Sequence, residues 1–295
     1  MKRNIIVLSA LLLAALLLTG CGSPFARAPA ATVDPYAGMV QVESGFGTQM
    51  WVRELEELEK SPFLGWSRLA PLPDGYAVRM GVDVSEHQGE IDWAAAARDG
   101  VEFAILRAGY RGYGARGTLV EDATFQKNAA DARDAGVALG VYFFSQAVTP
   151  AEAEEEAEFL LDVLARAGCT PGNVALPVFY DWEDIAHDEA RTDGLDGETV
   201  TQCAAAFCET MRTAGYATGI YAYRYLAYFS YDLVALRDET LWIGALGASS
   251  DFYYAHAFWQ NAVAEGIDGI SGAVDRDFWF EKLPEPTDGA SPDGQ

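Results

Sequence analysis

The spacing of apolar positions changes period several times along this chain, and each change marks an element. An apolar run from Ile5 to Leu18, interrupted only by Ser9, follows Lys2-Arg3-Asn4. Residues 22–47 are then rich in Ala, Pro, Gly and Ser, the composition of a tether. Met50, Trp51, Leu55 and Leu58 next recur at helical spacing behind Thr48, which predicts a short capped helix ending at Ser61-Pro62. From Arg79 to Leu283 short apolar runs alternate with amphipathic stretches. Strands are predicted over 82–84, 101–108, 137–145, 174–182, 217–223, 241–245, 257–260 and 272–275. Helices are predicted over 91–98, 121–135, 150–167 and 198–214, the third behind a Thr149-Pro150-Ala-Glu152 capping box.

Short buried strands alternating with helices predict an α/β fold with a parallel sheet. About eight strands in this span fit a closed TIM-like (β/α) barrel with a reduced number of helices. The expected organisation is a signal peptide over 1–20, a lipidated Cys21 with linker and short helix over 21–78, a barrel over 79–283 and a disordered acidic tail over 284–295.

Charge narrows the partners. The 295 residues carry 44 Asp and Glu against 20 Lys and Arg, a net charge of −24. A surface of that sign repels phosphate backbones, so no nucleic-acid partner is expected. Neither phosphate-cradling glycine motif is present, and no cofactor is predicted. The basic start and apolar run describe an export signal too short to span a bilayer. Its ending, Leu18-Thr19-Gly20-Cys21, resembles a bacterial lipobox, which implies lipidation of Cys21 and anchoring at the outer face of the cytoplasmic membrane. Cys169, Cys203 and Cys208 remain, too few and too scattered for a zinc site, so no metal is expected; buried thiols are the simplest reading of all three.

The chemistry sits in the acids at strand ends. In a barrel of this type the C-terminal ends of the strands form the working mouth. Asp83 ends the first predicted strand, Asp181 and Glu183 end the fourth, and Asp275 ends the last. Residues two apart on a strand face one side, so Asp181 and Glu183 can act on one substrate. Carboxyls crowded together cannot all ionise cheaply, and a protonated acid beside an ionised one is the equipment of glycoside hydrolysis.

The blocks around these acids go further. Gly81-Val-Asp83-Val-Ser85-Glu-His87-Gln88-Gly89-Glu-Ile91-Asp92-Trp93 resembles the opening signature of the family 25 glycoside hydrolases, the Ch-type lysozymes. Phe103 to Tyr110, Asp122 to Asn128, Gly140 to Phe144, Asp181-Trp-Glu183, Gly219-Ile-Tyr221, Leu241 to Ile243, Trp259-Gln260 and Gly269 to Asp275 follow in that family's order. The resemblance implies a barrel with few helices and peptidoglycan as the substrate, cleaved between N-acetylmuramic acid and N-acetylglucosamine. It implies Glu183 as general acid, Asp181 orienting the 2-acetamido group, and Asp83 and Asp275 holding the pair. It departs at Phe143 and Asn261, positions expected to change sugar contacts.

Flat sugar faces stack on aromatic rings. Tyr110, Tyr142, Tyr223, Trp242 and Trp259, with Gln260, are therefore the expected substrate-binding residues, and Tyr225, Tyr228, Phe229 and Tyr231 a candidate groove wall. His87 is expected to support the site; His187 and His256 are expected to be structural. The runner-up function is a wall-binding lipoprotein on the same fold, because fold alone carries no activity.

Overall fold

The structure is a computed structural model that describes residues 34–43, 47–185 and 189–284. From Gly38 onward they form one compact unit. Its elements in chain order are β1 (Met39–Glu43), β2 (Gln49–Arg53), β3 (Tyr76–Val84), α1 (Trp93–Arg98), β4 (Phe103–Arg111), β5 (Leu119–Glu121), α2 (Phe125–Asp134), β6 (Ala138–Phe144), α3 (Pro150–Arg166) and β7 (Val178–Asp181). They continue with α4 (Gly197–Thr213), β8 (Thr218–Tyr223), α5 (Arg224–Phe229), β9 (Thr240–Gly244), β10 (Phe258–Ala264) and β11 (Val274–Lys282).

The barrel closes in the order β3-β4-β6-β7-β8-β9-β10-β11 and back to β3. Neighbours from β3 to β10 are parallel, while β11 runs antiparallel to both β10 and β3. No helix separates β10 from β11, so the chain returns directly and the last strand is reversed. The predicted parallel barrel with few helices is therefore what forms, with one strand inverted.

Period-two alternation decides what fills it. Phe103 and Ile105 of β4, Tyr142, Phe179, Tyr221, Trp242 and Phe258 form an interior cluster separate from the core between barrel and helices. Gly81 makes room for it, since a Cβ there would lie 2.6 Å from the Phe103 ring. The outer core takes alternate residues of the same strands, such as Ala104, Val141 and Tyr180, against the buried faces of α3 and α4. Thr149 Oγ1 caps α3 on the Glu152 amide, and Asp196 caps α4 on Thr199. Glu152 answers to the Val148 amide at 2.9 Å, one residue before the cap.

The segment before the barrel is folded differently from expectation. Residues 49–53 are a strand, with Val42 opposite Met50 and Val40 opposite Val52 in an antiparallel pair. Val42 and Val52 are buried while their neighbours are exposed, so an alternating pattern prevails over the helical one. Further on, Phe63 stacks on Phe280 with ring centroids 3.8 Å apart, and Trp66 packs edge-on against Phe278 and Phe280. Residues 61–66 thus cover part of the outer face of β11, where the barrel has no helix, and they are tied there by Ser61 N to Tyr253 O and Gly65 N to Ser250 O.

Candidate active site

Four carboxyls reach the mouth from three strands. Asp83 and Asp275 lie directly opposite each other on β3 and β11, and Asp181 ends β7 in register with Phe144 and Tyr221. Glu183 follows on the loop after β7. All four line one cavity of about 230 Å³ with His87, Arg107, Tyr142, Tyr223, Trp242 and Gln260. Among the described residues no group of three or more His, Cys, Asp or Glu is arranged to hold a metal ion.

The contacts fix the individual groups. Gln260 donates from Nε2 to Asp83 Oδ2 at 2.8 Å and accepts the Tyr221 hydroxyl at 2.7 Å. Beneath them lies Asp277, fully buried, which accepts Trp242 Nε1 at 2.8 Å and lies against Asp83. Two carboxyls can share a hydrogen bond only when one holds a proton, and burial together with Asp83 holds the Asp277 carboxyl well above its ordinary range.

The same forces act on the lining acids. Burial, then Asp275, pushes Asp83 up to about 7 against the lowering hydrogen bonds of Gln260 and Asp277. Burial, then Asp275, also pushes Glu183 up to about 7. Burial, Glu183 and Asp83 hold Asp181 well above the usual carboxylate range, with Arg107 opposing them. Asp181 Oδ1 is buried without a hydrogen-bond partner among the described residues. Burial raises Asp275 as well.

Arg107 is the only lysine or arginine among the described lining residues. Its charge is already engaged, by Asp122 Oδ2 at 2.8 Å and Glu86 Oε1 at 3.2 Å. Asp122 is fixed in turn by Thr124 N and Oγ1. The block Asp122 to Asn128 thus does structural work, since Asn128 also accepts Trp93 Nε1 at 3.2 Å. Little positive charge is left over for the mouth acids.

Not every expected binding residue reaches the cavity. Tyr142, Tyr223, Trp242 and Gln260 line it, though only Tyr223 is substantially exposed, at 40%. Trp259 does not: it packs against Trp66 and Phe278 and donates to Ala245 O at 2.8 Å. Its neighbour Gln260 points inward, so Trp259 must point outward. Tyr110 is also absent from the lining; its ring lies 5.2 Å from the Arg107 guanidinium, beyond the register shift between Arg107 and Gly109. Phe143 is buried against Phe159 and Phe207 outside the barrel, and Asn261 hydrogen-bonds Gly247 O, so neither departure touches this cavity. Tyr228, Phe229 and Tyr231 line a different groove, beside β2 and α4.

Three smaller expectations concern other residues. His87 lines the cavity. His256 is buried, with Nδ1 2.9 Å from Tyr254 O and a pKa driven down to about 4 by burial, a structural role. Cys169, Cys203 and Cys208 are free and buried. Cys21 and His187 lie outside the described residues. Asp277, Arg107 and Tyr221 were not singled out from the sequence, although inward parity from Asp275, Ile105 and Tyr223 marks all three.

Comparison with known proteins agrees with this geometry. The model of glycosyl hydrolases family 25 matches residues 82–270. Lysozyme M1 of Streptomyces globisporus is 25% identical over 306 aligned positions, covering 93% of this chain and 90% of that protein. A family 25 glycosyl hydrolase from Bacillus anthracis superposes with a TM-score of 0.54 at 24% identity, over 71% of this chain and 91% of that one. The autolysin LytC of Streptococcus pneumoniae, solved with a synthetic peptidoglycan ligand, superposes with a TM-score of 0.60 at 24% identity, over 82% of this chain. This chain spans only 56% of the LytC chain. With the family model matched across most of the barrel, the chain belongs to glycosyl hydrolases family 25.

Proposed function

We propose that this chain is a lysozyme-type N-acetylmuramidase that hydrolyses the β-1,4 bond between N-acetylmuramic acid and N-acetylglucosamine in peptidoglycan. The observation that carries the reading is the set of four carboxyls in one cavity with little cationic charge to spare. Glu183, still protonated near neutral pH, is the group suited to protonate the leaving glycosidic oxygen. Asp181 orients the 2-acetamido group and stabilises the charge that develops as the acetamido oxygen attacks the anomeric carbon. Glu183 then takes a proton from the water that opens that intermediate. Asp83, braced by Gln260 and Asp277, and Asp275 set the proton affinity of the pair. Tyr223 and Tyr142 border the sugar.

Lysozyme M1 and the LytC complex with a peptidoglycan ligand support the choice of substrate. The test is to digest purified peptidoglycan, reduce the new chain ends with borohydride and identify them. Muramitol from the parent, lowered about 10²- to 10⁴-fold in a folded Glu183→Gln variant, is the expected result. Glucosaminitol would move the cleaved bond, and unchanged release by the variant would remove Glu183 from its role.

We further propose that Cys21 is the lipidated first residue of the mature protein and places the barrel outside the cytoplasmic membrane. The Leu18-Thr19-Gly20-Cys21 pattern supports this. Incorporation of labelled palmitate by the parent but not by a Cys21→Ser variant is expected; equal labelling would contradict it.

A further inference from the structure

Behind the mouth, on the outer face of the same two strands, lies a second cavity that the hydrolytic chemistry does not use. Gln260 and Asp275 point inward to the acids, while Asn261 and Arg276, their chain neighbours, line this outer cavity of about 440 Å³. Arg68, from the segment that precedes the barrel, lines it too. Leu246, Ala248, Trp259 and Phe278 supply apolar walls.

Two arginines side by side are unusual here. The chain carries 44 acids against 20 bases, yet neither Arg68 nor Arg276 forms an ion pair with any described residue. Arg276 is instead held in place by neutral groups, its Nε donating to Asn261 Oδ1 at 3.0 Å and its guanidinium lying 5.6 Å from the Phe278 ring centre. Burial and the neighbouring Arg68 both hold the Arg276 guanidinium below its ordinary value. An oriented guanidinium beside a second one, with apolar walls, is a receptor for a carboxylate attached to a small apolar body.

We infer that this cavity binds a carboxylate of the stem peptide carried by the muramic acid residue, so that Arg68 and Arg276 select peptide-bearing glycan. This rests on the muramidase reading. The geometry suits it, because the two cavities are back to back across a single sheet at the mouth end. A peptide of a few residues, extending about 3.3–3.6 Å per residue, is long enough to cross the rim from a sugar in the mouth.

Two measurements on the full chain test the inference. In the first, hydrolysis is followed on intact peptidoglycan and on the same glycan stripped of its stems by an amidase. Arg68→Gln combined with Arg276→Gln is expected to raise KM on the intact polymer about tenfold, with kcat unchanged and no effect on stripped glycan. An equal effect on both polymers, or none on either, overturns the assignment. Arg68 is exposed, so Arg68→Gln alone is a variant that keeps its fold; it is expected to give a smaller rise confined to intact polymer.

In the second, tryptophan fluorescence follows titration with an alanyl-alanine-terminated peptide acid, its C-terminal amide and inorganic phosphate. Tighter binding of the acid than of the amide and phosphate, lost in the double variant, is expected. Equal binding of acid and amide, or preference for phosphate, overturns it. This titration needs no hydrolysis, so it stands apart from any failure to release muramitol.

Discussion

Two clusters of buried acid flank the end of β7, and the protein treats them in opposite ways. At the mouth, Asp83, Asp181, Glu183 and Asp275 crowd together, and the nearby Arg107 is already engaged by Asp122 and Glu86. Behind it, Glu156 of α3 is fully buried and held on every side. Arg111 Nε lies 2.7 Å from its Oε1, the Gln146 amide donates to that oxygen at 3.2 Å, and Ser145 Oγ donates to Oε2 at 2.6 Å. The Tyr180 hydroxyl lies 2.9 Å from Ser145 Oγ and completes the chain of donors. Ser145 N also holds the Asp181 carbonyl at 2.7 Å, so the paired cluster anchors the backbone on which the crowded one is mounted.

The contrast separates scaffolding from chemistry. Burial alone raises a carboxyl, and Glu156 is pushed up to about 7 even with its partners. What distinguishes the mouth is that its acids face one another and open space. Proton affinity there is free to respond to substrate, whereas at Glu156 it is locked into contacts.

The sharpest way to break the comparison is to remove the paired acid. Glu156→Gln leaves the buried Arg111 guanidinium with Glu155, at 2.8 Å, as its remaining acid, and is expected to destabilise the fold by about 1–3 kcal/mol in chemical denaturation. A loss below about 1 kcal/mol would mean that Glu156 is not the anchor described. Glu183→Gln, by contrast, is expected to cost activity and not stability.

The smallest effect sharpens the account further. Burial and Asp83 hold the Asp277 carboxyl well above its ordinary range, and Asp277→Asn offers an amide toward Asp83 while keeping an acceptor for Trp242 Nε1. Activity within about threefold and stability within about 1 kcal/mol of the parent are expected. A drop as large as that of Glu183→Gln would show that Asp277 must ionise.

Much of this was readable from the chain. Asp83 and Asp181 sit at strand ends because short apolar runs fix where each strand stops, and the Asp-x-Glu spacing puts Glu183 just beyond; Asp275, expected to end the last strand, instead opens β11, whose reversal brings its first residues to the same mouth. Parity also held the answer to Trp259 and Gln260, which cannot both face inward as adjacent strand residues. The hairpin of β1 and β2 was harder. Over so few residues Met50, Trp51, Leu55 and Leu58 satisfy a helical period, and only pairing with Val40 and Val42 selects the strand. The Glu156 cluster was invisible for a similar reason. Arg111, Ser145, Glu156 and Tyr180 come from three elements and a loop, and nothing local in sequence announces that they meet.

The central claim is that Glu183 works as a proton donor whose affinity is raised by burial and by Asp275. It is tested most directly by the pH dependence of kcat/KM on purified peptidoglycan, with folding followed at each pH by near-ultraviolet circular dichroism. A general acid must be protonated to act, and Glu183 holds its proton up to about 7. The predicted profile is therefore high on the acid side of about 7 and falls roughly tenfold per pH unit above it. A rate that stays level from pH 6 to pH 9, with the protein folded throughout, would contradict the account.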